Sequence, residues 1–461
     1  MSGATATLAE RLAVLRQEDP DAARLVGPWL ETGSDREVYR VCPIRWGADR
    51  GLDGDAAAAV LLRATSAGLL RISWDLNCPG CGTIINSVER LGDVDNHFEC
   101  DVCDKSRDLA LDDWIMVTFT VRPDVRALPF HDPASLALRE RFIQCDMGRG
   151  VVMVNGERVE DHYDRRLAGI ELLEPGAKTT FHLDAVEGLF LMSPNGARPI
   201  VASPATAGTT PFELDLAIGA DRVLAGLPAQ VPVGPVTVRV RNDSAFAQRV
   251  IVFQSECYLR FGPPAGYNAA RLIHHPVYRA LFPPHLACCG GLQIRSVSIL
   301  FSDLVESTAM YQELGDLRAY GKVREHFAAV APVIDRHRGL WVKDIGDAVM
   351  ASFTSAADAV AAALEMVRVV REQAHLDLKI GINTGACIGV TYRGHFDWFG
   401  STVNLAARIQ SLAGPGEVCV SSATYERAGD SVQGLPASEV QTAVRGIDEP
   451  VVAYRLRADL S

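Results

Sequence analysis

The sequence predicts a multidomain chain: a helical N-terminus, a zinc-ribbon-like insert, a β-rich sandwich-like middle domain and an α+β C-terminal domain. Three observations carry this expectation. The chain has 461 residues, more than one hydrophobic core ordinarily serves. Four cysteines stand in two close pairs between residues 78 and 103. Near Ile294 the pattern changes from short strands separated by Pro and Gly to strands alternating with helices. The expected boundaries are 1–69, 70–110, 111–265, a linker at 266–292, and 293–461.

In the first segment, Leu8, Leu12 and Leu15 form one apolar stripe, and Val60, Leu61 and Leu62 contribute a second. Asp55, just before the alanine-rich run, is placed to cap its helix. The middle segment reads as strands, for example WIMVTFTVR from Trp114 and VVMVNGERV from Val151. Asn155-Gly156 marks a hairpin, because both turn positions want positive φ. Val236, Val238 and Val240 alternate with Thr237 and Arg239, as on a half-buried strand. Repeated short strands with Pro and Gly turns suggest a sandwich. The Pro- and Gly-rich composition from 266 to 292 reads as a linker.

Composition narrows the function. A net charge of −12 opposes a nucleic-acid coat or a polybasic membrane anchor. No apolar run reaches the ~18 residues of a membrane span, and MSGATATLAERLAV lacks the layout of a signal peptide. A soluble, cytoplasmic protein is expected, with its 11 cysteines reduced or on metal. Cys78, Cys81, Cys100 and Cys103 form a CxxC-x18-CxxC array, the spacing of a tetrahedral structural Zn²⁺ site. Zinc ribbons often bind nucleic acid, but residues 71–110 hold eight Asp/Glu against four Lys/Arg, which opposes phosphate. A structural staple or a protein-partner site is the expectation.

From Ile294 the elements are a strand VSILFSD, a helix, a hairpin from Leu340 to Phe353 turning at Gly346, and a helix capped by Ser355 with Asp358. LDLKIGINT, a second hairpin, a helix from about Thr402 and the strand EVCVSS follow. Pro332 is expected to kink or end the first helix. The arrangement predicted is a mixed sheet with helices on one side. Asp303 ends a strand and Asp347 follows a glycine turn. Two such carboxylates suit Mg²⁺ or Mn²⁺ and a two-metal reaction of a nucleoside triphosphate; taken singly, each also reads as a helix cap or a turn residue.

The segments FSDLVEST, KDIGDAVMASF and FDWFGSTVNLAARIQSLAGPGEVCVSS, in that order, closely resemble the class III adenylyl/guanylyl cyclase catalytic domain. The resemblance runs from about Ser296 to Leu456 and implies a ferredoxin-like palm acting as a homodimer on ATP. It implies that Asp303 and Asp347 bind two metal ions, and that Lys343 and Asp397 read the purine. It also implies that Asn404 and Arg408 orient the substrate and stabilise the transition state, and that Arg445 binds phosphate. A lysine donor and a carboxylate acceptor complement adenine N1 and N6; guanine presents the reverse pattern. The sequence departs from the family at Glu306, where glycine is usual. The cysteine array resembles an uncharacterised region upstream of some bacterial cyclase domains, implying a regulatory ligand or protein. Three alternatives stand beside this reading: a guanylate cyclase, opposed by Lys343 and Asp397; a catalytically weak cyclase-like binding protein, kept open by Glu306; and a zinc-dependent nucleic-acid binder, opposed by local acidity.

Overall fold

The computed structural model describes residues 7–94, 97–100, 102, 106–108, 114–148, 152–193, 198–203, 211–220, 224–255, 265–282, 292–392, 395–442 and 450–457. Cys103, Arg445 and the Cys288-Cys289 pair lie outside them. The chain divides between Asn268 and Ala269 into two compact units. Among the described residues, no helix is long and apolar enough to cross a membrane.

The N-terminal unit opens with helices Leu8–Glu18, Pro20–Thr32, Pro43–Ala48 and Gly54–Ser66. Thr7 and Glu10 cap the first reciprocally. The alanine-rich helix is capped by Asp53, whose carboxylate accepts from the backbone of Asp55 and Ala56, rather than by Asp55. Asp55 falls inside the first turn and instead accepts the Tyr267 hydroxyl at 2.8 Å. Strand Leu70–Asn77 pairs antiparallel with both Ile84–Val88 and Ile115–Val121. Its buried Asp75 is satisfied by the Thr118 and Ser87 hydroxyls, each at 2.6 Å.

Residues 167–255 form a sandwich, narrower than the expected 111–265: Ile115–Val121 pairs instead with Leu70–Asn77, across the expected boundary at 110. A five-stranded and a four-stranded sheet contribute to one core: Leu173, Ala202, Val250 and Val252 from the first, Phe181, Leu214, Val236, Val238 and Val240 from the second. Alternation places these side chains inward. The Asn155-Gly156 turn joins paired strands Met153–Val154 and Glu157–Arg158, with φ of 51° and 80°.

The C-terminal unit begins with short helices Ala269–His274 and Pro276–Leu281. Prolines suggested a linker here, but Pro276 occupies a first turn, where its missing N–H costs nothing. The labelled elements follow: β1 Leu292–Leu304, α1 Ser307–Leu314, α2 Asp316–Arg336, β2 Leu340–Ile345, β3 Ala348–Phe353 and α3 Ala356–Ala374. Next come β4 Leu378–Tyr392, β5 His395–Phe399, α4 Ser401–Gln410, β6 Glu417–Ser421, α5 Ser422–Ala428, β7 Ala437–Thr442 and β8 Val451–Arg457. The sheet runs β2-β3-β1-β4-β6-β8-β7, with β5 also paired to β4. Its β1-to-β4 half is a βαββαβ unit, the ferredoxin-like plan.

Strand alternation divides this sheet into two faces. Leu300, Val349, Ala351, Ile380, Ile382, Val418 and Val420 enter one core with α2, α3 and α5. Cys419 points the other way and packs with Ile409 and Ala413. Helix α4 therefore covers the second face, which corrects the expectation of helices on one side. Gly381 permits this: a Cβ there would lie 2.1 Å from the Gln410 backbone nitrogen. Helix α2 also continues through Pro332 to Arg336, because Val333 and Ile334 anchor its last turn in the core.

Candidate functional site

Asp303 is the penultimate residue of β1, alternating with Leu300 and Leu304, so it stands on the α4 face. Asp347 follows Gly346, which turns the β2–β3 hairpin at φ 69°. The two carboxylates sense one another. Burial raises the Asp303 carboxyl above the usual carboxylate range, and the Asp347 charge raises it further. Lys379 and hydrogen bonds from Gln410 and the Leu304 backbone offset part of this. Asp347 Oδ2 is buried without a hydrogen-bond partner among the described residues. A pair of crowded carboxylates with one orphaned oxygen fits a hard divalent cation such as Mg²⁺ or Mn²⁺, which would neutralise both.

Sequence reasoning missed the residue behind this pair. His326 on α2 is fully buried. Burial holds its ring neutral, with a pKa pushed down to about 4, although the carboxylate and backbone of Asp347 pull the other way. Its place in the Val323–Val330 stripe of α2 was the available signal: a polar ring in an apolar row.

Lys343 and Asp397 form a second pair. A bulge between Trp341 and Lys343 sets Lys343 opposite Met350, and Asp397 lies on β5 opposite Val390. The Lys343 ammonium donates to Asp397 Oδ2 at 2.5 Å, while Asp397 Oδ1 accepts from the Trp398 backbone N–H at 2.9 Å. Trp398 is itself buried and anchored. Its indole N–H donates to the Ser352 hydroxyl at 2.9 Å, 3.0 Å from His274 Nε2. His274 Nδ1 lies 2.8 Å from the Ala270 carbonyl, so Nδ1 carries the proton and Nε2 accepts from Ser352. Burial keeps this ring neutral, its pKa lowered to about 4.

Asn404 and Arg408 occupy the exposed side of α4, four residues apart. The buried side of α4 is pinned by Thr402: its hydroxyl donates to the Ala386 carbonyl at 2.7 Å, and its own carbonyl accepts from Asn383 at 3.0 Å. Glu306 caps α1 in the left-handed region, φ 55° and ψ 30°, with its side chain exposed. That conformation explains why glycine suits this position.

In the N-terminal unit, the sulfurs of Cys78, Cys81 and Cys100 lie within 4.8 Å of one another, all buried. Cys81 and Cys100 are 3.6 Å apart, with no disulfide. Tetrahedral Zn–S bonds of about 2.3 Å require sulfurs ~3.8 Å apart, a separation that Cys81 and Cys100 approach.

Residues 292–456 match the family described as the adenylate and guanylate cyclase catalytic domain, and residues 5–195 a family of unknown function, DUF5939. An uncharacterised Mycobacterium tuberculosis protein, Rv2212, is 32% identical over 158 residues, covering 34% of this chain and 40% of its own length. The pH-sensitive adenylate cyclase MT1302 of M. tuberculosis is 33% identical over 167 residues, covering 35% of this chain and 41% of its own. The chain thus spans less than half the length of these curated relatives. A solved structure, the guanylyl cyclase Cya2, is 29% identical with TM-score 0.34, covering 36% of this chain and 93% of that one. The C-terminal segment is a class III adenylyl/guanylyl cyclase catalytic domain.

Proposed function

From that domain we propose that the protein is an adenylate cyclase, converting ATP to 3′,5′-cyclic AMP and pyrophosphate. The observation that carries the choice of ATP is the Lys343–Asp397 pair. Its ammonium supplies a donor for adenine N1, and its carboxylate accepts from the N6 amino group. Guanine would leave these groups mispaired; once the base covers them, that costs about 1–3 kcal/mol for each.

The reaction is attack of the ribose 3′-oxygen on the α-phosphorus. The bond from that phosphorus to the bridging oxygen of pyrophosphate breaks, and the 3′-hydroxyl proton passes to solvent. Asp303 and Asp347 would hold Mg²⁺ or Mn²⁺, which when bound acidifies the 3′-hydroxyl and stabilises phosphate charge. Asn404 orients the substrate, and Arg408 meets charge growing on the α-phosphate. Arg445, outside the described residues, is assigned to phosphate. The protein acts as a cytoplasmic homodimer, one subunit offering the aspartates and the other Lys343, Asp397, Asn404 and Arg408. Exposed Leu317, Tyr320 and Phe399 supply apolar surface for that pairing. A Zn²⁺ held by Cys78, Cys81, Cys100 and Cys103 staples the N-terminal unit, which regulates the domain.

The test is incubation of the full chain with ATP or GTP and Mg²⁺ or Mn²⁺, with cyclic product and pyrophosphate measured. Cyclic AMP in excess of cyclic GMP is expected; no cyclic AMP under any metal rejects the proposal. A GTP preference rejects the base assignment, and Lys343→Glu leaving the ATP preference intact does the same. Metal analysis should return about one zinc per chain, lost in Cys78→Ser.

A further inference from the structure

Residues 29–50 fold around a cavity of about 460 Å³ in the N-terminal unit, closed on one side by Arg158 and Glu160. Its size is that of a small-molecule site, ~300–1,000 Å³. Its walls combine aromatic faces with cations. Trp29 and Trp46 meet edge to face at 5.4 Å, and the Arg50 guanidinium lies 4.3 Å from the Trp46 ring centre. The lining arginines are Arg36, Arg40, Arg45, Arg50 and Arg158; the lining carboxylates are Glu37, Asp49 and Glu160.

Much of the negative charge is already committed. Glu37 caps its own turn, accepting from the Ser34 backbone and hydroxyl at 2.7 Å each. Glu160 is 3.9 Å from Arg158. Among the described residues, Arg36 and Arg45 form no ion pair, and both are exposed. Two donors in the wall behind it have no hydrogen-bond partner among the described residues. The Trp46 indole N–H is buried, with no hydrogen-bond partner among the described residues. Arg40 Nη1 is likewise buried without a hydrogen bond; the carboxylate that faces it, Asp75, is 3.5 Å away, too far to satisfy it. The lining itself carries five arginines against three carboxylates, so the cavity favours a guest that brings acceptor oxygens.

We propose that this cavity binds a small organic anion: a carboxylate or phosphate ester on a flat ring. The anionic group meets Arg36 and Arg45, the exposed guanidiniums of the lining, and the ring packs on the indoles. Excess arginine disfavours a cation and a purely apolar guest alike. Guanidinium forks match carboxylate and phosphate alike, and the indole faces favour a planar body.

The experiment is calorimetric titration of the full chain with four probes. They are indole-3-acetate, phenyl phosphate, the neutral indole-3-acetamide and inorganic phosphate. The readout is binding, independent of any cyclase activity. Expected is a Kd of about 100 µM or tighter for at least one of the two ring anions, at least tenfold weaker for its uncharged or ringless counterpart. Which ring anion binds distinguishes the carboxylate source from the phosphate source. Arg45→Gln, an exposed substitution that leaves the fold alone, and Trp46→Phe, which trims the ring the guest packs on, should each weaken binding about tenfold. Absence of binding by both ring anions up to about 10 mM overturns the proposal. So does equal binding of indole-3-acetamide, or affinity unchanged in a folded Arg45→Gln chain.

Discussion

The two faces of the C-terminal sheet are built from alternate residues of the same strands, yet they do different work. One face carries Leu300, Val349, Ile380 and Ile382 into an aliphatic core under α2 and α3. The other carries Asp303 and the polar Ser352–His274–Trp398 chain, with α4 laid across Gly381. The large apolar core lies on the first face and the proposed metal ligand Asp303 on the second. The crowding of Asp303 with Asp347 is a cost that the second face carries until a cation relieves it.

The largest expected effect tests that division directly. Asp303→Ala should lower cyclic AMP formation by about a thousandfold or more, equivalent to about 4 kcal/mol of transition-state stabilisation. Its melting temperature should be unchanged or slightly higher, because a carboxylate whose pKa is raised destabilises the folded state once ionised. A large loss of stability in this variant would break the comparison.

Ile382→Ala on the opposite face should do the reverse. Ile382 is fully buried, so its truncation should cost about 2–5 kcal/mol in denaturant unfolding. Activity per folded molecule should stay within a few-fold.

The buried histidines give a pH test. His274 and His326 have folded pKa values near 4, against 6.5 for an ordinary histidine. The unfolded chain therefore binds more protons between those values. Their contribution is fully present above about pH 6.5 and is lost as pH falls towards 4, up to about 3 kcal/mol each. His274→Gln should flatten the acid limb of stability measured by urea unfolding from pH 7 to 4.5.

Gly381→Ala should lift α4, since the new Cβ meets the Gln410 backbone. A cost of about 1–3 kcal/mol is expected, and activity should fall with it because Asn404 and Arg408 ride on that helix. The smallest effect is Glu306→Gly, a gain of up to about 1 kcal/mol from relieving a left-handed residue. A rise in turnover with it would show that the glutamate also opposes the triphosphate.

Much of the fold's plan could be read in advance where local rules sufficed. The Asn155-Gly156 hairpin, the Ser355 cap and the alternating valines 236, 238 and 240 all appear as expected. Two local expectations failed where neighbours intervened. The cap moved to Asp53 once Tyr267 claimed Asp55, and α2 ran past Pro332 because core contacts outweighed one lost hydrogen bond.

By itself, the sequence determined the order of elements, the turn at Gly346, the CxxC spacing and the ordered motifs that mark the C-terminal domain, because these depend on residues near one another in the chain. Only the tertiary structure decided which face α4 covers, that the charge of Asp347 reaches Asp303, and that His326 is buried beside Asp347. It alone assembled residues 29–50 with Arg158 and Glu160 around a cavity. Burial, mutual repulsion and unsatisfied donors are properties of groups brought together from distant positions, and no local pattern records them.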